Sequence, residues 1–345
     1  MNRLIISVLA IMLYLSALPG AALAVESERT DGSYFQLVDE KGQVIHRTAL
    51  MVNTGDEYIT PTNQRFKVIR LQGDTAYCRY AGQEKMPQAG AAAANLETSG
   101  PGEVPAAAPG RPTVAIYHTH TDESYVPSDG TESKRGDGGI FDVGETLKNK
   151  LQAMGINAIH DTTPHDPHDP NAYYRSRRTA AKLLKQGPVL LVDVHRDSVP
   201  PEVYATNVEG TEATKVKLVV GRQNSNMSTN LELAKRLKAH MDEVSPGLSG
   251  GIFMGKGNYN QDLTPRSILV EVGADTNSKT DAERGISLFA QSLPPVLGIE
   301  TGPAQKPLTN RATEQRTDWT TALWVVLAVG AGFAGYVYLN RRQNR

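Results

Sequence analysis

Three apolar runs in this chain each end in residues that bind metal ions or transfer protons, and this arrangement constrains the fold more than any other feature. The run VAIY leads into His118, His120 and Glu123, the run PVLLVDV ends in His195, and the run SILVEV holds Glu271. In open α/β sheets, ligands bind in the crevice beyond the carboxyl ends of the strands. We therefore expect these side chains to meet at one edge of a sheet.

From Thr113 onward, the hydrophobic pattern alternates between strands and helices. The spacing of apolar residues predicts helices over Phe141–Met154, Ala172–Lys185, Ser228–Met241 and Asp281–Leu293. Continuous apolar runs predict buried strands over Ile156–His160, Val189–Val194, Val216–Val220 and Ile268–Val272. Such alternation favours an α/β fold, a three-layer domain with a mostly parallel sheet.

The residues ahead of this region differ in character. Residues 32–82 contain short segments of alternating polarity separated by turn-forming residues, which predicts a small all-β module. Residues 83–112 are rich in Ala, Gly and Pro and lack periodicity, which is typical of a flexible linker. The larger domain then occupies residues 113–300, and a polar spacer follows over residues 301–321.

The two ends of the chain predict an exported protein held at a membrane. Residues 1–24 combine a basic start, an apolar stretch and the closing run ALA, which predicts a signal peptide, with an uncleaved N-terminal anchor as the alternative. Residues 322–339 are nearly all apolar and are followed by Arg341 and Arg342, which predicts a transmembrane helix with a cytoplasmic C-terminus. The expected location is the cell membrane, with a single span and the larger domain outside the cytoplasm.

Charge and cysteine content narrow the chemistry. The formal net charge of −1 gives no sign of a polyelectrolyte partner, so we expect no nucleic acid. Cys78 is the only cysteine, which excludes an intramolecular disulfide and a cysteine-based zinc finger. Any zinc ion must therefore be held by histidines and carboxylates.

The histidines and the glutamate at the first two strand ends suggest a hydrolytic zinc site. His120 and Glu123 form an H-x-x-E pair, and His195 supplies a distant third ligand. A set of two histidines and one glutamate leaves one coordination position open for water. His118 shares a face with His120 if the strand continues that far, so it is either a supporting residue or the ligand in its place. Asp197 either orients the neighbouring histidine or caps a turn.

Glu271 has two interpretations. It either pairs with the nearby Arg266 or takes part in catalysis. A carboxylate on a buried strand is costly unless it is used, which favours the second interpretation.

Further polar residues are candidates for substrate binding. Arg175 and Arg178 are one helical turn apart and either bind carboxylates of a substrate or cover a solvent face. His165 and His168 lie in the proline-broken run TTPHDPHDP, which either contacts substrate or is a solvated loop. Asn260 follows a glycine-rich stretch and is expected to shape one wall of the cleft.

Six runs of the chain resemble one known family. They are IYHTHTDESYVP, FDVGETLKNKLQAMGINAIHDTTPHD, AYYRSRRTA, VDVHRDS, YNQDL and ILVEVGADTN. In this order they resemble the stage II sporulation protein P family, whose members are cell-wall hydrolases of engulfment in endospore-forming bacteria. The resemblance extends from about Thr113 to Pro294.

This resemblance implies a fold similar to that of the zinc N-acetylmuramoyl-L-alanine amidases. Laying VAIYHTH over the amidase strand IAIDPGH implies that His120 is the first zinc ligand. VDVHRDS lies over the strand with the other zinc histidine, which implies that role for His195. ILVEVG matches the strand with the catalytic glutamate, which implies that Glu271 is the catalytic residue.

The chain departs from the amidase pattern in two places. Amidases take their zinc carboxylate from a glutamate that opens the first helix, where this chain has the run IFD. Glu123 is therefore expected to replace it, with Asp142 and Glu145 as weaker candidates. The predicted C-terminal span is the second departure, because members of this family are commonly held by an N-terminal one.

The resemblance implies hydrolysis of the amide between N-acetylmuramic acid and the L-alanine of the peptidoglycan stem peptide, and also cleavage of peptide cross-links. It implies Zn²⁺ as cofactor, peptidoglycan as substrate, and stage II sporulation proteins D and M as partners. Two alternatives stay open: a zinc carboxypeptidase or endopeptidase that trims stem peptides, and a non-catalytic tether that binds the cell wall.

Overall fold

The computed structural model describes residues 28–88 and 112–299. The predicted signal at 1–24, most of the predicted linker at 83–112, the spacer at 301–321 and the span at 322–339 lie outside these residues. The strands are β1 (Phe35–Val38), β2 (Val44–Thr48), β3 (Glu57–Ile59), β4 (Gln64–Gln72), β5 (Thr75–Gln83), β6 (Thr113–Tyr117), β7 (Asn157–His160), β8 (Leu190–Asp197), β9 (Ala205–Val208), β10 (Thr211–Thr214), β11 (Val216–Gly221), β12 (Ser249–Gly255) and β13 (Ser267–Ala274). The helices are α1 (Val126–Asp129), α2 (Ile140–Ala153), α3 (Ala172–Leu184), α4 (Met227–Val244), α5 (Lys279–Ala290) and α6 (Leu293–Leu297).

Within the described residues, eleven strands form one sheet in the order β2-β1-β5-β4-β3-β12-β11-β13-β8-β6-β7. From β12 to β7 every neighbouring pair is parallel except β11 and β13. From β2 to β12 the pairs are antiparallel except β1 and β5. The prediction of a mostly parallel sheet is therefore confirmed for the part that begins at residue 113, and for that part only.

The predicted β module is continuous with the rest of the sheet. Its strands β1–β5 are present, and β3 pairs antiparallel with β12, with Tyr58 opposite Phe253. An edge strand exposes unpaired N–H and C=O groups, and the pairing of β3 satisfies those of β12. The segment is thus β-rich as predicted but does not form a separate sheet.

Helices cover both faces of the half-sheet that begins at residue 113, which confirms the three-layer α/β fold. On β6, Val114 and Ile116 face one hydrophobic core together with residues of α2, α4 and α5. Ala115 and Tyr117 face the other side, where they pack with Ala180 and other residues of α3. Alternate residues of a strand point to opposite faces, so a strand covered on both faces is apolar throughout. This burial explains the continuous apolar runs in the sequence.

Strand β12 was not predicted, because its sequence SGGIFMG resembles a flexible loop. Gly251 has a φ of +86°, which residues with a side chain rarely adopt. A Cβ atom at this position would overlap the carbonyl oxygen of Ile59 and the ring of Tyr58. The glycine is therefore what allows β3 to approach β12 closely enough to pair with it.

The predicted transmembrane helix is not found among the described residues, which do not include the predicted span at 322–339. Among residues 28–88 and 112–299, no helix has the length and apolar character needed to cross a bilayer. Helix α4 has 18 residues but includes charged side chains such as Lys235, Arg236 and Asp242, which are costly in hydrocarbon. The predicted single-pass location at the cell membrane rests on that helix and has no support among the described residues either.

Candidate metal centre

Strands β6, β8 and β13 lie side by side and bring the predicted site residues to one edge of the sheet. His195 on β8 and Glu271 on β13 are partners in the parallel register of these two strands. Strand β6 ends at Tyr117, and the chain then turns across the end of β8. Asp193 fixes that turn, because its carboxylate accepts hydrogen bonds from the Thr119 main-chain N–H at 2.8 Å and from the Thr119 hydroxyl at 2.6 Å.

The three predicted metal ligands meet at one carboxylate oxygen. Glu123 Oε1 lies 3.1 Å from His120 Nδ1 and 3.1 Å from His195 Nδ1. Glu123 Oε2 accepts the main-chain N–H of Arg196 at 2.9 Å. All three side chains are buried. Two imidazole nitrogens and one carboxylate oxygen that converge in this way are a donor set that suits Zn²⁺.

The electrostatic surroundings favour the ionised form of Glu123. Burial raises the pKa of this carboxyl group, but the charge of His195 and the hydrogen bonds from His120 and His195 outweigh it and hold the pKa well below its usual range. Asp193 Oδ1 lies 3.0 Å from His195 Nε2, on the far side of the ring from Glu123. Nε2 forms no hydrogen bond of good geometry among the described residues, but a carboxylate so close to it favours the proton on Nε2 and leaves Nδ1 available to a metal ion.

Two further side chains, Glu28 and His168, adjoin two of these ligands. Ligand atoms of Glu28, His120, Glu123 and His168 all lie within 4.8 Å of one another, and His195 joins this group through its contact with Glu123. The His168 ring stacks on the His120 ring with 3.8 Å between the centroids. His168 was expected to contact substrate or lie in a solvated loop. Glu28 was not identified at all, because a single glutamate in a polar stretch carries no recognisable pattern.

Glu271 is a buried carboxylate next to this cluster. Its Oε2 atom is shielded from solvent and has no hydrogen-bond partner among the described residues. Burial raises its pKa well above the usual range, and the charge of Lys217 offsets this only in part. Arg266 is five positions earlier in the chain. Arg266 immediately precedes β13, and five extended residues span about 17 Å, which is more than the two side chains can bridge, so pairing with Arg266 is not the role of Glu271.

His118 lies apart from the cluster. Because β6 ends at Tyr117, the alternation that would have put His118 on the same face as His120 does not continue. Its Nδ1 atom is 2.8 Å from the carbonyl oxygen of Val194, and its Nε2 atom is 2.8 Å from His160 Nε2. Burial and the neighbouring His160 lower its pKa to about 3. Both ring nitrogens are therefore engaged away from the candidate ligands.

The other candidate carboxylates are also engaged elsewhere. Asp197 accepts hydrogen bonds from Lys217 Nζ at 2.6 Å, the Tyr204 hydroxyl at 2.9 Å and the Ala49 main-chain N–H at 2.8 Å. The contact with His195 expected of it is made by Asp193 instead. Asp142 forms an ion pair with Lys279 at 2.6 Å, and Glu145 forms an ion pair with Lys148 and a hydrogen bond with His160.

The four other residues expected to bind substrate or shape the cleft lie in the wall of the site or outside it. Arg175 holds the preceding loop through the carbonyl oxygens of residues 165 and 167 and the carboxylate of residue 169. His165 is buried between the main-chain carbonyl of residue 118 and the hydroxyl of residue 179. Asn260 donates to the carbonyl of residue 173 and the hydroxyl of residue 176. Arg178 is exposed on α3.

Residues 42–294 match the family model described as stage II sporulation protein P. The chain belongs to the stage II sporulation protein P family. A member of this family from Bacillus subtilis strain 168, named stage II sporulation protein P, is 30% identical over 196 residues, which are 51% of this chain and 49% of the relative. The chain thus spans about half the length of the curated relative that it matches.

Solved structures that are similar to this chain include three amidases. The N-acetylmuramoyl-L-alanine amidase AmiC2 of Nostoc punctiforme is 14% identical with a TM-score of 0.31, covering 53% of this chain and 95% of that one. An N-acetylmuramoyl-L-alanine amidase from Clostridium difficile 630 is 18% identical with a TM-score of 0.34, covering 53% and 92%. The CwlD amidase from Clostridioides difficile, solved in complex with the GerS lipoprotein, is 10% identical with a TM-score of 0.36, covering 55% and 100%. Similarity at this level bears on neither activity nor site residues.

Proposed function

We propose that this chain is a zinc-dependent peptidoglycan hydrolase that cleaves the amide between N-acetylmuramic acid and the L-alanine of the stem peptide. Its role would be the degradation of septal wall during engulfment in sporulation. The observation that carries the proposal is the convergence of His120 and His195 on one oxygen of Glu123, at 3.1 Å each. Glu271 is nearby, and its Oε2 atom has no hydrogen-bond partner among the described residues. Membership of a sporulation family supports the biological role.

In this proposal, His120, Glu123 and His195 hold the zinc ion. Zinc supplies a Lewis acid beside the scissile carbonyl when it is bound. The Arg196 main-chain N–H engages one oxygen of Glu123 and leaves the other directed at the two histidines. Asp193 fixes the orientation of the His195 ring from its far side. Such supporting contacts set the direction of ligand atoms before an ion binds.

Glu271 is the proton-transfer residue in this proposal. Its Oε2 atom accepts a proton from the attacking water and returns that proton to the departing amine nitrogen. A raised pKa suits both steps, because a carboxylate that holds a proton more strongly can accept it and later release it near neutral pH. A buried carboxylate without a hydrogen-bond partner is costly to the fold, which argues against a purely wall-binding tether.

The bond that is cut distinguishes amidase from peptidase activity, because the same ligands would serve either. The full chain is incubated with purified sacculi, and the products are analysed by mass spectrometry with and without a chelator. Glycan strands and intact stem peptides, produced only without chelator, are the expected result. Shortened stem peptides would instead identify a carboxypeptidase or endopeptidase, and unaltered muropeptides would contradict hydrolysis. Cross-link cleavage and binding to stage II sporulation proteins D and M, which the family resemblance implies, belong to the same proposal.

A further inference from the structure

The first described residues place a carboxylate over the metal centre. Glu28 forms an isolated antiparallel bridge with Leu50. The main-chain N–H of Arg29 donates to the carbonyl oxygen of Ala49 at 2.9 Å. Ala49 is held in turn by its own N–H, which donates to Asp197 on β8 at 2.8 Å. The segment is thus aligned with the end of β2 and points its glutamate at the site.

The carboxylate of Glu28 is buried among the candidate ligands. Its Oε2 atom lies 3.4 Å from His120 Nδ1 and 3.4 Å from His168 Nε2, and its Oε1 atom lies 3.3 Å from a terminal nitrogen of Arg196. Only 3% of its side chain is exposed. His120 Nδ1 is also the atom that faces Glu123 Oε1 at 3.1 Å. Glu28 and Glu123 therefore both lie close to the same ligand atom.

His168 and Arg196 hold Glu28 in this position. Asp122 Oδ1 lies 3.2 Å from His168 Nδ1, which turns His168 Nε2 toward Glu28. Arg196 is a buried cation in contact with the carboxylate of Glu28. A buried carboxylate paired with a cation stays ionised, and an ionised carboxylate is able to bind a metal ion.

We propose that Glu28 is a fourth, displaceable protein ligand that closes the metal centre and inhibits the enzyme in this conformation. The inference rests on the proposed function, because it takes the ion of that site for granted. Catalytic zinc sites have three protein ligands and an open position, whereas closed four-ligand sites are structural. In the proposed function, His120, Glu123 and His195 would supply three ligands. With Glu28 as a fourth, the position that water needs would be occupied.

The main-chain contacts explain why Glu28, rather than Glu123, is the ligand that leaves. Glu123 lies in a turn that is held by hydrogen bonds to both main chain and side chains, including its own carboxylate to the Arg196 N–H. Glu28 is carried by a segment whose described main-chain contacts are those with Ala49 and Leu50. Moving that segment requires no change in the central sheet strands. Its displacement would open the site without disturbing the three other ligands.

The test compares Glu28→Ala and the nearly isosteric Glu28→Gln with wild type. Asp31→Asn is the matched control, because Asp31 is an exposed carboxylate of the same segment whose described hydrogen bonds go only to Ser33. Each full-length protein is loaded with Co²⁺ for its visible absorption spectrum. Zinc affinity is then measured by competition with a chromogenic chelator, and turnover on sacculi is measured at saturating zinc.

For both Glu28 variants we expect a changed Co²⁺ spectrum, a zinc affinity roughly ten- to a hundredfold lower, and a severalfold higher turnover at saturating zinc. Asp31→Asn should match wild type in all three measurements. An unchanged spectrum and affinity in the Glu28 variants, or turnover that falls with the metal bound, would overturn the inference while leaving the proposed function intact. Wild-type protein that binds neither metal would overturn both. Because Glu28→Gln preserves the shape of the side chain, it separates loss of a ligand from loss of the fold.

Discussion

His195 and Glu271 are register partners on the parallel strands β8 and β13. A candidate metal ligand and a candidate proton acceptor are therefore fixed relative to each other by main-chain hydrogen bonds of the sheet. Catalytic groups on strands are positioned more precisely than those on loops. Metal binding and proton transfer can be tested separately, because either His195 or Glu271 can be substituted without moving the strand that carries the other.

Glu271→Gln should retain zinc and lower turnover on sacculi by about two to four orders of magnitude, the usual contribution of a positioned base. Glutamine has nearly the same shape as glutamate but cannot accept the proton. Zinc content is measured by atomic absorption, and released stem peptides are measured by mass spectrometry. Loss of zinc would make Glu271 a ligand instead, and near-normal turnover with zinc bound would exclude it from both roles.

His195→Ala should lose both zinc and activity. Two ligands remain from the set of three, and they hold the ion too weakly for it to survive dialysis. His240→Gln is the control, because this histidine lies on α4 rather than among the candidate ligands, and it should keep its zinc. Stoichiometric zinc in dialysed His195→Ala would remove His195 from the site.

The stability of the protein should fall as the pH drops below about 6.5, in part because of His46. This side chain is buried against Tyr58, and its Nε2 atom has no hydrogen-bond partner among the described residues. Burial and the charges of Lys217 and Lys215 hold its pKa well below the usual value. Below the unfolded pKa, the unfolded chain binds a proton that the folded chain does not, so folding weakens as acid is added.

His46→Phe should remove this contribution, because phenylalanine keeps the stacking on Tyr58 and does not titrate. The difference between the two proteins in free energy of unfolding should change by up to about 1.4 kcal/mol per pH unit below 6.5. Urea unfolding at pH 7.5 and pH 5.0 measures it. The same pH dependence in both proteins would show that His46 is protonated in the folded state.

Gly251→Ala should destabilise the protein by more than the cost of its backbone conformation alone. The added methyl group would overlap Ile59 and force β3 away from β12. Gly32→Ala is the matched control, because Gly32 also has a positive φ, +75°, but nothing lies within 4 Å of its Cβ position. Left-handed strain costs roughly 1–2 kcal/mol per residue and should appear in both variants. Equal melting temperatures for the two would show that β3 and β12 adjust without cost.

Periodicity was enough to predict the layers of the fold. The spacing of apolar residues predicted a helix over Phe141–Met154, and α2 occupies Ile140–Ala153. The apolar run at Ile268–Val272 likewise lies within β13. These elements are buried on one stripe or on both faces, so their sequences must follow the geometry of burial. Strand β12 lacks this signal, since its glycines are required by a contact with a strand from a distant part of the chain.

Residues of the candidate site could be predicted from the sequence only where they lie on a predicted strand or directly after it. His195 and Glu271 follow directly from their strands. The choice between His118 and His120 depended on where β6 ends, because a strand continued through residue 120 would put both histidines on one face. That end is fixed by Asp193 on the neighbouring strand, which accepts a hydrogen bond from Thr119. A contact between residues so far apart in the chain cannot be predicted from the local sequence pattern. Glu28 and His168 reach the site through tertiary contacts alone.

The continuity of the sheet across residues 28–88 and 112–299 bears on how this protein can be divided for biochemistry. A fragment that begins at residue 113 would lose β3 and leave the edge of β12 unpaired. Gly251, which β3 contacts in the full structure, would then be uncovered. Open edges of this kind pair with other chains and promote aggregation. The same fragment would also lose the Ala49 N–H that helps to hold Asp197. The change in composition near residue 83 therefore suggests a domain boundary, but the protein should not be truncated there.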